Sequence, residues 1–157
     1  MDSASRDGEG LGLERVDRPD RRTARRRRGD EAESAAAGHL RSRGWRILGA
    51  QLRVGRDEID LLAVEPGTPA TLVLVEVRGR SGDGFGAQEE RLNAGKLRRL
   101  YRAAAALRAE GRLADGTDLR GHSWRIDLLA VDLAPGAGGA GTARAAGFRH
   151  LRGLIPR

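Results

Sequence analysis

Asp57–Val64 (DEIDLLAV) and, across Pro66-Gly67-Thr68-Pro69, Thr71–Arg78 (TLVLVEVR) are the two stretches that decide how this chain folds. Thr71–Arg78 is rich in β-branched residues and apolar on both faces, the pattern of a central strand covered on both sides. Glu58–Val64 reads as a second strand, and the Pro/Gly segment between them as a turn. Upstream, Trp45–Val54 (WRILGAQLRV) reads as a strand interrupted at Gly49. The turn Gly55-Arg56-Asp57 then makes it the hairpin partner of Glu58–Val64.

Outward from these strands the pattern turns helical. Asp30 is a predicted N-cap, Glu31 and Glu33 suit a first turn, and Ala32, Ala35, Ala36 and Leu40 fall at helical spacing. Gly44 marks the stop. Gly79–Gly86 is a predicted loop. Leu92, Leu97, Leu100, Tyr101, Ala104 and Leu107 mark a long helix over Gln88–Glu110. Trp124–Leu133 (WRIDLLAVDL) is another strand and Phe148–Ile155 a last edge strand, while Ala134–Gly147 is low in complexity and expected to be a flexible loop. The order is α-β-β-β-α-β-β. Residues 29–157 form one domain, and residues 1–28, highly charged and poor in apolar residues, are expected to be a disordered basic tail. "IDLLAV" occurs twice, at Ile59–Val64 and Ile126–Val131. Two similar buried strands account for the repetition.

Composition narrows the function. The 157 residues carry 29 Lys+Arg against 22 Asp+Glu, a net charge of +7. Such a balance suits a polyanion, although an arginine-rich chain also arises from base composition alone. There is no cysteine, which excludes a disulfide scaffold, a thiolate zinc site and a cysteine nucleophile. No apolar run approaches a membrane span, and the first 28 residues lack the apolar core of a secretory signal, so a cytoplasmic location without membrane contact is expected. Aromatics make up 3 % of the chain, too few for a base-stacking platform. His39, His122 and His150 lack mutual ligand spacing and read as structural or surface residues.

Two acidic residues stand inside apolar strands: Asp60 within Ile59–Val64, and Glu76 within Leu72–Val77. A carboxylate there is costly unless it is paired, hydrogen-bonded or bound to a metal. Glu76 and Arg78 share a strand face. If the second and third strands pair, Asp60 and Glu76 converge, and one pKa should rise unless a cation lies between them. Oxygen-only ligands favour a hard cation, Mg2+ or Mn2+. The alternative for either carboxylate alone is a structural ion pair, Glu76 with Arg78 or Arg80 and Asp60 with Arg53.

The set D-x15-E-x-R on consecutive strands, behind a helix bearing Glu33, resembles the metal-dependent nuclease core of PD-(D/E)XK type, the restriction-endonuclease-like fold. GDEAESAAAGHL (Gly29–Leu40), GWRIL (Gly44–Leu48), DEIDLLAV, LVEVRGR (Leu74–Arg80), KLRRL (Lys96–Leu100), WRIDLLAV (Trp124–Val131) and FRHLRGL (Phe148–Leu154) follow in order. Together they resemble the bacterial YraN family, small uncharacterised proteins thought to be nuclease-like and similar to archaeal Holliday-junction resolvases. The resemblance implies an α/β fold with a central mixed sheet flanked by helices. It implies Asp60 and Glu76 as metal ligands, Glu33 completing the metal shell, and Arg78 in the place of the motif's lysine. Glu58 matches the glutamate of the family's G-E-I-D text, and Lys96 a basic position opening the second helix.

The function so implied is a metal-dependent endonuclease, with DNA, structured or branched, favoured over RNA, and with a homodimer by analogy with junction resolvases. Arg78, Arg80, Lys96, Arg98, Arg99 and Arg102 are the expected backbone contacts. A non-catalytic nucleic-acid-binding protein and a protein-interaction adaptor stay open as alternatives.

Overall fold

The computed structural model of the chain describes residues 21–81, 92–136 and 143–155. Two helices and five strands run in the order α1 (Arg21–Ser42), β1 (Arg46–Val54), β2 (Asp57–Glu65), β3 (Thr71–Ser81), α2 (Ala94–Glu110), β4 (Ser123–Pro135) and β5 (Ala143–Leu151). The strands form one sheet in the order β1-β2-β3-β4-β5. Neighbours are antiparallel except β3 and β4, which are parallel. The connection between those two carries α2, as a parallel pair requires.

The sheet is covered on both faces. Ala32, Ala36, Ala37 and Leu40 of α1 pack against Leu61, Ala63, Val73, Val75, Leu129 and Val131 on one face. Leu97, Leu100, Ala103 and Leu107 of α2 pack against Ile59, Leu62, Leu72, Leu74 and Ile126 on the other. Leu72–Val77 is buried throughout, Glu76 included, as a strand apolar on both faces predicts. This is the mixed α/β architecture expected, a five-stranded sheet flanked by helices, consistent with a restriction-endonuclease-like fold. No helix among the described residues is long and apolar enough to cross a membrane.

Four expectations need correction. The first helix begins at Arg21, not near Asp30, so Arg25–Arg28 belong to a helix and Asp30 caps nothing. Arginine and alanine are good helix formers, and the interior Gly29 costs only about 1 kcal/mol. The anchor is tertiary: α1 lies so close to β3 that a Cβ at Gly79 would be 2.8 Å from the Ala32 Cβ. The segment 134–147 is not wholly a loop. Residues 143–147 open β5, and Ala143 and Ala145 pack against the core, where pairing with β4 overrides weak intrinsic propensity. The last strand therefore starts earlier than Phe148 and ends at Leu151. Gly79–Ser81 likewise belong to β3 rather than to a loop.

α2 opens at Ala94 with Asn93 as N-cap, whose side chain accepts from the Lys96 N–H. The expected helical residues 88–91, the loop residues 82–86 and most of the tail, residues 1–20, lie outside the described residues.

Candidate active site

Asp60 sits where β2 leaves β3. The backbone ladder between the two strands ends at Leu61↔Val75. One step further the Asp60 carboxylate replaces the missing backbone acceptor, Oδ2 taking the Val77 N–H at 2.8 Å. β2 also turns over here. Ile59 packs in the α2-side core and Leu61 in the α1-side core, although residues two apart on a regular strand share a face. Opposite this point in β1, Gln51 falls between the pairs Ala50↔Leu61 and Leu52↔Ile59 with φ +49°. A left-handed conformation costs a non-glycine residue roughly 1–2 kcal/mol. Here it aims the Gln51 side chain at α1, where Nε2 donates to Glu33 Oε2 at 3.0 Å.

Glu76 projects from β3 on the α2 side, with only 6 % of its side chain exposed. Two cations meet it: Lys96 Nζ lies 3.1 Å from Oε2 and Arg78 Nη2 3.5 Å from Oε1. The Lys96 contact is an ion pair without hydrogen-bond geometry, so the buried Oε2 accepts no hydrogen bond. Burial first, then the negative charge of Asp60, pushes the Glu76 carboxyl up to about 7 against the pull of Lys96 and Arg78. Glu33 is also raised, by burial and then by Asp60. The three carboxylates named from the sequence thus share one electrostatic field with Asp60 at its centre.

They do not share one coordination sphere. Among the described residues no three His, Cys, Asp or Glu side chains are gathered closely enough to hold a metal ion. Glu33 is turned to Gln51, Asp60 to the Val77 N–H and Glu76 to Lys96 and Arg78. The donor chemistry nevertheless fits a hard cation: oxygen ligands only, mutual repulsion that a cation would relieve, and a buried oxygen on Glu76 with no hydrogen bond.

The expected basic contacts divide. Arg78, Arg98 and Arg99 are exposed, and Arg80 is half-buried at the end of β3. Lys96 is taken up by Glu76. Arg102 is taken up by Asp57, donating from Nε and Nη2 at 2.8 and 2.7 Å, which lowers the Asp57 pKa chiefly through those hydrogen bonds. Arg102 is therefore a structural partner of the first residue of β2, with its side chain still half-exposed. The Asp60–Arg53 alternative is not realised, since Asp60 bonds to backbone, whereas the Glu76–Arg78 pair is.

One polar cluster is not anticipated from the sequence. Asp127, fully buried on β4 on the α1 side of the sheet, accepts from Arg125 Nε (2.8 Å) and Nη2 (2.9 Å), from the Gly153 N–H (3.0 Å), and pairs with His150 Nε2 (2.8 Å). Arg125 continues to Glu65 at 2.7 Å, and Arg152 closes on the same glutamate. Burial would raise the Asp127 pKa, but His150, Arg125 and the Gly153 N–H outweigh it and hold the carboxyl at about 2. A signal for it does exist: Asp127 stands in the second "IDLLAV" as Asp60 stands in the first. His150 is a structural residue within this network, and His39 stacks on Phe148 with ring centroids 3.9 Å apart.

Comparison with known proteins places the chain. Residues 32–131, which run from α1 into β4, match the model of the uncharacterised protein family UPF0102. A UPF0102 protein of Mycobacterium avium is 33 % identical over 126 residues, covering 80 % of this chain and 88 % of the relative. One from Persephonella marina is 32 % identical over 104 residues, covering 66 % and 82 %. One from Mycobacterium tuberculosis is 35 % identical over 126 residues, covering 80 % and 90 %. On this sequence, this sheet order and these matches, the chain belongs to the UPF0102 family, known also as YraN.

Proposed function

We propose that this protein is a divalent-cation-dependent endonuclease that hydrolyses phosphodiester bonds in DNA, with structured or branched DNA as its preferred substrate. The observation that carries the reading is the electrostatic coupling of Asp60 and Glu76 at the point where β2 and β3 separate, with the Glu76 carboxyl pushed up to about 7 and cationic side chains beside it. Neighbouring carboxylates that repel one another in this way are stabilised by a hard cation. Asp60 and Glu76 would hold Mg2+ or Mn2+, with Glu33 beside them. When bound, the ion supplies an acidified water and neutralises charge on the phosphate. Arg78 stabilises the developing negative charge on the phosphoryl oxygens. It cannot serve as base, because a guanidinium stays protonated. Lys96 brings a second positive group to Glu76 from α2 and limits the repulsion between Glu76 and Asp60.

A second reading is a non-catalytic nucleic-acid-binding protein. It is favoured by the lack of a three-ligand cluster among the described residues and by the neutralisation of Glu76 by Lys96 and Arg78. Cleavage of labelled four-way-junction, flap, duplex and single-stranded DNA in Mg2+, Mn2+ and EDTA decides between them, with Asp60→Asn and Glu76→Gln proteins alongside. Cleavage that requires the metal and both carboxylates is expected. Binding without cleavage in either metal would move the reading to the second.

A further inference from the structure

The basic run Arg25–Arg28 is part of α1, and its placement is specific. Arg26 lies seven residues before Glu33 and Arg25 seven before Ala32, so on a 3.6-residue helix each pair shares a face. Ala32 is buried against β3 at Gly79. Arg28 Nη1 meets Ser81 Oγ at 3.3 Å, which ties this part of α1 to the C-terminal end of β3 beyond Glu76, Arg78 and Arg80. Arg25, Arg26 and Arg27 are exposed and form no ion pair with any described residue, although Asp30 and Glu31 stand four positions after Arg26 and Arg27.

This half-helix is folded against its own electrostatics. The first turn holds no acidic residue, and the arginines crowd the positive end of the helix dipole and repel one another at i+3 spacing. A continuous anion laid along it would reverse both penalties. At about 1.5 Å rise per residue, Arg26 stands roughly 10 Å along the axis from Glu33. It therefore leads directly away from the carboxylate site.

We propose that the N-terminal half of α1 is a phosphate-backbone clamp for the duplex DNA arm that flanks the Asp60–Glu76 site, and that this half-helix is stabilised by the DNA it holds. The identity of the partner rests on the nuclease reading above. The geometry of the clamp does not. Three exposed arginines on one helix, with few aromatics in the chain, fit recognition of the phosphate backbone rather than base stacking.

The test uses the full chain carrying Asp60→Asn, so that DNA is bound and not cut. Its affinity for a short labelled DNA duplex is measured by anisotropy from roughly 50 to 200 mM salt. The same protein with Arg25→Gln, Arg26→Gln and Arg27→Gln together is measured in parallel. The log–log salt slope is expected to shrink by about 2–3, close to one for each arginine that no longer neutralises a phosphate. Amide exchange over residues 21–28 is expected to slow when duplex is added to the arginine-containing protein. An unchanged slope, or no added protection, overturns the clamp. Binding of the arginine segment to phosphatidylglycerol vesicles or duplex RNA in preference to duplex DNA overturns it also. Metal-dependent cleavage by the unmutated chain is scored separately. No cleavage with an arginine-dependent slope sinks the nuclease reading and leaves the clamp standing, whereas cleavage with an unchanged slope does the reverse.

Discussion

Replacing Asp127 by asparagine tests how the face of the sheet opposite Glu76 is held together. The side chain is fully buried and its two oxygens meet four donors: Arg125 Nε and the Gly153 N–H on Oδ1, Arg125 Nη2 and His150 Nε2 on Oδ2. Asparagine keeps the shape but has one acceptor oxygen, so its NH2 must face two of the former donors. It also leaves the Arg125 guanidinium without its buried counter-charge. The carboxyl is held at about 2 against an ordinary 3.8, which corresponds to about 2 kcal/mol of native-state preference for the charged form. Adding the unsatisfied donors, Asp127→Asn should destabilise the fold by about 2–4 kcal/mol at neutral pH. That is a large part of a typical total of about 5–15 kcal/mol and roughly 5–15 °C in Tm.

Urea unfolding followed by tryptophan fluorescence reads this directly, because Trp45 lies against His150 and beneath Arg125. The pH dependence is the sharper part. A depressed carboxyl pKa means the unfolded chain binds the proton more readily, so the stabilisation is complete above about pH 4 and is lost as pH falls toward 2. The gap between the two proteins should therefore narrow across that window. A gap below about 0.5 kcal/mol at neutral pH, or one that does not narrow with acid, would refute the account of the network.

Four further outcomes are expected. The raised Glu76 carboxyl works in the opposite sense: its contribution is intact below about pH 4.5 and lost as pH rises through about 7, so Glu76→Gln should flatten the metal-free stability profile between those values and be the more stable protein at pH 8 in chemical denaturation. Gly79→Ala should destabilise by about 1–3 kcal/mol in thermal melts, because the new methyl meets Ala32 at 2.8 Å and must push α1 off the sheet. Gln51→Gly should leave stability within about 1 kcal/mol of the parent, relief of the left-handed strain offsetting glycine's entropy, yet lower cleavage by freeing Glu33, as initial-rate assays would show. Arg102→Gln should lower Tm by stripping Asp57 of its partner while leaving the salt slope of DNA binding unchanged; a reduced slope would restore Arg102 to the DNA interface.

Most of the fold is legible in the residue pattern because burial on two faces leaves an unmistakable mark. Thr71–Arg78 has the pattern of a covered central strand, and Asp60 and Glu76 are conspicuous because charge inside such strands is costly. The same cost applies to the second "IDLLAV" and marks Asp127. Strand burial alone explains the apolar residues of that repetition but not its aspartate.

What the sequence by itself determined is the set of core elements, their order, and the acidic and basic residues that stand out of pattern, because these depend on local periodicity and on the cost of burying charge. Beyond the β1–β2 hairpin, tertiary structure decided what depends on pairing across the sheet. It carried β5 back through Ala143–Gly147, because a partner strand outweighs the weak propensity of an alanine-glycine segment. It assigned Arg102 to Asp57 and Lys96 to Glu76, since which cation reaches which carboxylate is set by how α2 lies on the sheet. It turned β2 over at Asp60 opposite a left-handed Gln51, a break in alternation that no period-two reading anticipates. And it extended α1 through Arg25–Arg28, where a composition typical of disorder becomes helix because Ala32 and Gly79 bring the helix and the central strand together.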